Sequence, residues 1–261
     1  MCPFKSHKDM HTLQSDLGTL LNWANEWQMC FNVDKCKVMH FGRTNPQYTY
    51  QMNQTLLQVT DSEKDLGVEI QSSLRQRLHI ADKVKKANQV LGMIRRTFSC
   101  RSQEILMPLY KSLVRPHLDY ASPVWSPYHK EDIILLEKVQ HRFTRMISGF
   151  ASKPYQERLS LLKFTTLETC RIRADLLEVF KMFHGFSRID TQSLFVMDAS
   201  VRRGHRFKLY KPRFRLDIRR NFFSQRVVNI WNSLPDRVVA APSINTFKSY
   251  IGIYLAENRG L

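Results

Sequence analysis

The chain has 261 residues, enough to bury a sizeable core in one or two domains. With 43% hydrophobic and 24% charged residues, its composition is that of a globular protein and excludes an intrinsically disordered chain. The 40 Lys and Arg residues against 23 Asp and Glu give a net charge of +17, which favours a polyanionic partner, most commonly nucleic acid and less often an anionic membrane.

The five cysteines are scattered and form no CxxC pair or zinc-finger spacing, which favours free thiols in a reducing compartment. No uninterrupted apolar stretch approaches the roughly 20 residues of a membrane span, and the N-terminus has no signal-peptide pattern. We therefore expect an intracellular protein, in the nucleus or the cytoplasm, that does not bind membranes.

The N-terminal part of the chain predicts one helix and a small sheet. Leu13, Leu17, Leu20 and Leu21 recur at steps of three and four residues, and this pattern continues to Trp27. Short alternating stretches follow up to residue 70, which predict a small antiparallel sheet.

The rest of the chain is mainly helical by its apolar spacing. Helices are predicted around residues 84–98, at 103–114 with a stop near Pro116, and at 136–146. A capping box formed by Thr165 and Glu168 predicts the start of a fourth helix. Two further helical runs follow Ser224 and Ser243.

Two helices are expected to expose stripes of basic side chains. Such a stripe contains few acids to offset its self-repulsion, so we expect it to contact the phosphates of nucleic acid, although a solvated surface is the simpler alternative. The stripe residues are Lys83, Lys86, Arg95 and Arg96 on the earlier helix and Lys138, Arg142 and Arg145 on the later one.

A basic segment covers residues 202–220 and is predicted to be a β-hairpin or an extended arm. Its bases alternate with aromatic residues, which either stack on unpaired bases or attach the segment to the core. The candidate nucleic-acid contacts are Arg202, Arg203, Arg206 and Lys208, and the first two are also a weak nuclear-import signal.

Several segments in this order resemble the C-terminal part of the reverse transcriptase of jockey-like non-LTR (LINE) retrotransposons. The segment LNWANEWQMCFNVDKCKVMHFG (21–42) resembles the part that follows the catalytic Asp-Asp turn, and EKDLGVEI (63–70) resembles the next palm motif. LYKSLVRPHLDYASPVW and LEKVQHRFTRMISG resemble the thumb and the region beyond it, and RRGHRFKL and FFSQRVVNIWNSLP resemble the C-terminal tail.

The resemblance implies an α+β, mainly α-helical chain: a palm remnant with a small antiparallel sheet at 1–72, a thumb-like helical region at 73–150, and a basic helical C-terminal region at 151–261. The family needs two magnesium ions held by an Asp-Asp turn and an earlier aspartate. This sequence contains no Asp-Asp pair. We therefore expect a truncated polymerase with no catalytic residue, metal site or cofactor of its own, magnesium being implied only for the intact family enzyme.

Two further sites follow from the resemblance. Lys35 lies where the family's palm motif places a lysine near the incoming triphosphate, but without the metal site it is more simply a solvated charge. Leu66, Gly67 and Val68 correspond to the turn of a primer grip, where glycine would let the backbone approach a strand, with an ordinary hairpin turn as the alternative.

The sequence thus predicts sequence-independent binding of RNA or DNA, including RNA–DNA hybrids, with no polymerase activity by the chain alone and no small-molecule substrate. The alternatives are a repurposed helical module that binds proteins and a retroelement remnant without a function. The sequence leaves the oligomeric state and the preference between RNA and DNA open.

Overall fold

The chain forms two compact units, Met1–Leu78 and His79–Leu261. The computed structural model describes residues 7–198 and 204–259. The described residues are mainly helical, with a few two-stranded sheets in the N-terminal unit, so the predicted α+β, mainly α-helical fold class is confirmed. None of the described helices is long and apolar enough to span a lipid bilayer.

The N-terminal unit begins with one long helix, followed by a 3-10 turn and short strands. Its elements are α1 (His7–Glu26), the 3-10 turn (Val33–Lys35), β1 (Lys37–Val38), β2 (Gln51–Met52), β3 (Thr55–Leu56), β4 (Gln58–Val59), β5 (Ser62–Asp65) and β6 (Val68–Gln71).

The described strands form three separate pairs rather than the one small antiparallel sheet expected from the sequence. The pairs β2–β3 and β5–β6 are antiparallel hairpins, whereas β1 and β4 are parallel, with Lys37 opposite Gln58. The alternating pattern predicted strands in this part of the chain but not how they pair, because pairing depends on connections longer than the pattern.

One glutamine attaches α1 to the strands. The Gln14 side chain donates to the Gln51 carbonyl oxygen at 2.9 Å and accepts from the Gln51 amide at 3.0 Å. The primary amide thus bonds the backbone of β2 as a neighbouring strand would. Two tryptophans at the C-terminal end of this helix are exposed, Trp23 by 46% and Trp27, one residue past the helix, by 66%.

The C-terminal unit is helical, and α8 lies at its centre in contact with α4, α5, α6 and α14. Its helices are α2 (Arg77–Thr97), α3 (Gln103–Leu109), a π-helical turn (Tyr110–Val114), α4 (Arg115–Asp119), α5 (Ser122–Trp125), α6 (Lys130–Met146), α7 (Tyr155–Leu162), α8 (Leu167–Phe183), α9 (Thr191–Leu194), α10 (Asp217–Arg220), α11 (Phe223–Arg226), α12 (Val228–Ser233), α13 (Asp236–Val239) and α14 (Ile244–Arg259).

The predicted helix stop near Pro116 is wrong. The π-helical turn connects α3 to α4, and the Arg115 amide reaches the Tyr110 carbonyl five residues earlier. This wider turn places Pro116 in the first turn of α4, where a proline needs no amide donor. The helical segment therefore continues to Asp119.

The predicted start of α8 is one residue too early. Thr166, not Thr165, caps the helix, and its side chain accepts from the Thr169 amide at 3.2 Å. Thr165 instead offers its carbonyl oxygen to the buried amide of Gln140 at 2.9 Å. Helix α14 follows Ser243 as predicted, and the Ser243 hydroxyl accepts from the Thr246 amide at 3.1 Å.

An aromatic core joins α8 to the C-terminal helices. Phe180 stacks on Phe247 with ring centroids 4.2 Å apart, and the fully buried Trp231 lies beside Phe183. Aromatic pairs at these distances stabilise a core beyond the area that they bury. The core holds α12 and α14 against α8.

Candidate nucleic-acid interface

Helix α6 has a buried apolar face and, on the opposite side, an exposed cationic stripe. Leu136, Val139 and Phe143 are fully buried. The cationic stripe, namely Lys138, Arg142 and Arg145, is exposed as predicted. Within the described chain, none of the three side chains has a carboxylate within the 4.0 Å of an ion pair.

This lack of acid partners distinguishes the stripe from other helical cations of the unit. On α8 Lys181 pairs with Glu178 at 2.7 Å, and near α7 Lys153 pairs with Glu157. From Lys138 to Arg145 the sequence contains no acid at all. The cationic face of α6 is therefore not neutralised locally.

Exposed cations on one side of α2 extend the cationic stripe of α6. Arg142 Nη1 donates to Asn88 Oδ1 at 2.7 Å, which fixes one arginine of the stripe to the neighbouring helix. Lys85 and Arg95 lie three residues before and seven after Asn88, and therefore on the same side of α2. Both side chains are exposed, so the surface beside α6 gains two more cations.

In the structure, the four residues of the predicted stripe on α2 lie on different sides of that helix. At 3.6 residues per turn, Lys83 and Lys86 lie about 140–160° around the helix from Asn88. Lys86 pairs with Asp82 at 2.8 Å on that flank. Arg95 and the exposed Arg96, in the last turn, lie nearer to the side of α6. Lys85, which the sequence analysis did not select, replaces Lys83 and Lys86 on the combined surface.

On its other side the stripe meets α7 through a buried arginine. Arg158 is 1% exposed, and its Nη1 donates to the His141 carbonyl oxygen at 3.0 Å and to Thr144 Oγ1 at 2.7 Å. Its Nη2 lies 3.2 Å from His141 Nε2. Since an arginine only donates, His141 Nε2 accepts, and the imidazole proton is on Nδ1.

Burial and neighbouring charges lower the pKa of two groups at the junction of α6 and α7. Burial, then the nearby Arg158 and Arg145, lowers the pKa of His141. Burial and the charge of Arg145 also lower the pKa of Arg158. The His141 imidazole is therefore neutral at pH 7. Its protonated form is disfavoured here unless an anion binds nearby. Neither residue was selected from the sequence, because lone histidines and arginines carry no signal without their neighbours.

The basic arm is attached to the core by its first half. His205 and Leu209 are buried, the Phe207 carbonyl accepts from Trp231 Nε1 at 2.7 Å, and the Asn232 amide bonds both backbone groups of Leu209. Antiparallel hydrogen bonds also join residues 196–198 to 208–210, so the hairpin interpretation applies to this part.

The predicted contacts on the arm are in different environments. Arg206 is exposed and lies over the Phe207 ring at 4.7 Å, whereas Lys208 is half-buried beside Gly204. Arg202 and Arg203 lie outside the described residues. Of the aromatic residues, Phe207 packs 5.5 Å from Phe183, whereas Tyr210 is exposed. Tyr210 is thus better placed than Phe207 to stack on a base.

The two sites expected from the resemblance lie in the N-terminal unit. Lys35 ends the 3-10 turn with an exposed side chain, and its amide donates to the Asn32 side chain. The neighbouring Lys37 forms an ion pair with Glu63 at 2.8 Å. This pair lowers the pKa of Glu63 and joins β1 to β5, which is a structural role for the second lysine.

Leu66 and Gly67 form the two-residue turn between β5 and β6, and Val68 is buried at the start of β6. Both turn residues have positive φ, 45° and 85°, as a type I′ hairpin turn requires. A leucine rarely adopts this conformation, and its side chain is 84% exposed. The geometry is that of a hairpin turn, with a leucine at its tip.

The described residues contain no group of three or more His, Cys, Asp or Glu side chains that could hold a metal ion. The described cysteines, Cys30, Cys36, Cys100 and Cys170, form no disulfide.

Comparison with curated proteins finds the RNA-directed DNA polymerase from mobile element jockey of Drosophila funebris, 28% identical over 189 residues. The match covers 69% of this chain but only 19% of that protein, so the chain spans about a fifth of its relative's length. No family model and no solved structure matches. The similarity supports an origin related to a retrotransposon reverse transcriptase.

Proposed function

We propose that this chain binds RNA and DNA, including RNA–DNA hybrids, through the phosphate backbone and largely without regard to sequence. The proposal rests on one observation: Lys138, Arg142 and Arg145 form an exposed cationic stripe with no acid partner in the described chain. A stripe at i, i+4 and i+7 spans about 10 Å along a helix, which is enough for two or three successive phosphates.

Two features of the surroundings support this interface. Arg142 is held by Asn88, so less side-chain freedom is lost when it binds a phosphate. Lys85 and Arg95 widen the cationic surface beside it. Lys83, Lys86, Arg96, Arg206 and Lys208 remain proposed as secondary contacts, and Leu66 to Val68 as a primer-grip-like turn.

The test is fluorescence anisotropy of the chain with a labelled RNA–DNA hybrid at several salt concentrations. Lys138, Arg142 and Arg145 are changed together to Ala. The matched control changes three exposed cations on other elements, Arg188, Arg237 and Lys248, to Ala, and so lowers the net charge equally. We expect the stripe variant to flatten the slope of log K against log salt by about 0.9 per lost contact, up to three contacts.

The control separates a local interface from general attraction to a basic protein. It should bind nearly as tightly as the wild-type chain and keep its salt slope. Equal losses in the two variants would reduce the interaction to net charge, and a folded wild-type chain that fails to bind at low salt would contradict the proposal.

The same origin leads us to propose that the chain alone does not polymerise. Two-metal nucleotidyl transfer needs closely spaced carboxylates, and the sequence contains no Asp-Asp pair. Primer extension with Mg²⁺ or Mn²⁺ on an RNA template should give no product above a heat-denatured control. Extension that copurifies with the chain would disprove this.

A protein-binding module remains a second candidate because α1 exposes a large apolar face. Leu20, Trp23 and Trp27 recur at steps of three and four residues, and each is at least 42% exposed in the structure. Large exposed apolar patches commonly mark protein contacts. The salt titration separates the candidates, because an apolar contact depends only weakly on salt.

A further inference from the structure

Arg158 is an unusual buried charge because its partners are all neutral. Its guanidinium contacts the His141 carbonyl oxygen, Thr144 Oγ1 and His141 Nε2, and its Nε has no hydrogen-bond partner in the described chain. A buried guanidinium ordinarily pairs with a carboxylate, since burial removes the water that stabilises its charge.

Two carboxylates on α6 and α7, Glu137 and Glu157, are already engaged by other partners. Glu157 forms the ion pair with Lys153. Glu137 accepts from the Tyr155 hydroxyl and from the Leu167 amide at 2.9 Å. No carboxylate within 4.0 Å of Arg158 offsets its charge in the described part of the chain.

Arg158 and His141 lie against the Tyr155 ring, at 5.3 and 4.6 Å, and Arg145 adds a second cation, on α6. Arg145 is exposed and lies one helical turn after His141, on the same face of α6. Arg158 occupies His141 Nε2 and so keeps the imidazole proton on Nδ1, as a donor. Burial, and after it the charges of Arg158 and Arg145, lowers the pKa of His141, and burial, and after it Arg145, lowers the pKa of Arg158.

We infer that Arg145, His141 and the buried Arg158 form a phosphate-binding site at the junction of α6 and α7. Arg145 contacts the anion. Arg158 supplies positive charge from the buried side and orients the His141 imidazole. The inference deepens the proposed function and rests on it for the source of the phosphate, which is the backbone of the bound strand rather than a free ion.

The site itself is tested by the titration of His141, followed by NMR, in sulfate and in chloride at equal ionic strength. Sulfate is the probe because it has the charge and shape of phosphate but does not titrate in this range. An anion at Arg145 offsets the repulsion that disfavours the imidazolium, so sulfate should raise the pKa of His141 by about half a pH unit or more. An unchanged titration would overturn the inference.

Two variants locate the effect. Arg145→Gln should remove the response to sulfate, whereas Arg237→Gln, an exposed arginine on α13, should keep it. Arg145 is exposed, so its variant should fold even if Arg158→Gln does not. A response that persists in Arg145→Gln would place the anion elsewhere and overturn the site.

Hybrid binding then identifies the source of the phosphate. We expect Arg145→Gln to weaken binding of the RNA–DNA hybrid about three- to tenfold at low salt, and Arg237→Gln to change it less than twofold. Should the wild-type chain bind the hybrid and Arg145→Gln bind equally well, the site takes a free phosphate, which overturns the inferred source. A wild-type chain that responds to sulfate but does not bind the hybrid would refute the proposed function and leave the site standing.

Discussion

Arg226 joins three helices of the C-terminal unit through its guanidinium. Its Nε and Nη2 bond both carboxylate oxygens of Asp175 at 2.7 and 2.8 Å, and Nη2 also donates to the Pro123 carbonyl oxygen at 2.7 Å. A bidentate pair of this geometry is the strongest form of ion pair in proteins. It connects α5, α8 and α11 at one point.

Arg226→Met should destabilise the chain by about 3–5 kcal/mol, because it removes the cation that bonds both oxygens of the buried Asp175 carboxylate. The measurement is urea unfolding followed by circular dichroism. Arg220→Met is the matched control, since its pair with Asp217 is mostly exposed and should contribute at most about 1 kcal/mol. Similar losses in the two variants would contradict the central role of Arg226.

Glu137 gives the chain a stability that depends on pH. Burial raises the pKa of Glu137 in the folded state, although the hydrogen bonds from Tyr155 and Leu167 oppose the shift. The folded state therefore binds a proton at a higher pH than the unfolded state. The contribution of Glu137 to stability is smallest at neutral pH and rises as the pH falls through the pKa of Glu137 in the folded state. The rise ends where Glu137 is protonated in the unfolded state as well.

Glu137→Gln should remove this dependence. The free energy of unfolding of the wild-type chain, relative to that of the variant, should increase as the pH is lowered from 7 towards 4.5. Chemical unfolding at a series of pH values measures the difference, in which the other titrating groups cancel. A difference that stays constant with pH, or changes in the opposite direction, would show that the folded pKa of Glu137 is not raised.

At the scale of the element, α6 is held by a buried polar network as well as by its apolar face. Gln140 is fully buried, accepts from the Tyr110 hydroxyl at 3.0 Å, and donates to Tyr155 Oη at 3.2 Å and to the Thr165 carbonyl oxygen at 2.9 Å. It thereby links α6 to the π-helical turn, to α7 and to the start of α8. The network fixes the orientation of the cationic stripe.

Gln140→Leu should cost about 2–4 kcal/mol, because it leaves the Thr165 carbonyl and the Tyr110 hydroxyl buried without partners. Thermal unfolding by calorimetry would measure the loss, and Gln156→Leu, on the exposed side of α7, provides a control of equal chemistry. If Gln140→Leu proved as stable as the control, the network would not contribute to the position of α6.

At the β5–β6 hairpin, the role of Leu66 in the turn can be tested separately from a contact with nucleic acid. Leu66→Asn should stabilise the N-terminal unit by about 0.5–1 kcal/mol, since Asn-Gly is the preferred sequence of a type I′ turn and leucine is strained at positive φ. Urea unfolding measures the gain. Weaker hybrid binding by this more stable variant would support the primer-grip interpretation, and unchanged binding would leave only the turn.

At the scale of the whole molecule, the two units differ in how much they bury. The N-terminal unit buries few of its described residues, among them Ala24, Tyr50 and Met52. The C-terminal unit has an extended apolar and aromatic core. A small core provides little free energy against the entropy of the chain. The two units should therefore differ in stability.

Native-state hydrogen exchange should show this difference directly. We expect the amides of β5 and β6 to exchange faster than those of α8 by more than an order of magnitude, because local stability follows buried contact. Mass spectrometry of exchanged peptides can resolve the two regions. Equal protection in both would mean that the chain unfolds as one cooperative unit.

The sequence by itself determined the fold class, most helix positions and the exposed stripe on α6. These features depend on local periodicity: Leu136, Val139 and Phe143 recur at helical spacing, so the cations between them must face outward. The similarity to a retrotransposon polymerase was also visible in the sequence, because it depends on the order of motifs along the chain.

Only the tertiary structure decided which cations share a surface. Arg142 meets Asn88, so Lys85 and Arg95 lie beside α6 while Lys83 and Lys86 face another side, and Arg158 reaches His141 from α7. The two contacting pairs are 54 and 17 residues apart, which is beyond any local period. The pairing of β1 with β4 and the continuation of the helix past Pro116 were hidden for a related reason, since each depends on hydrogen bonds that the residue types alone do not specify.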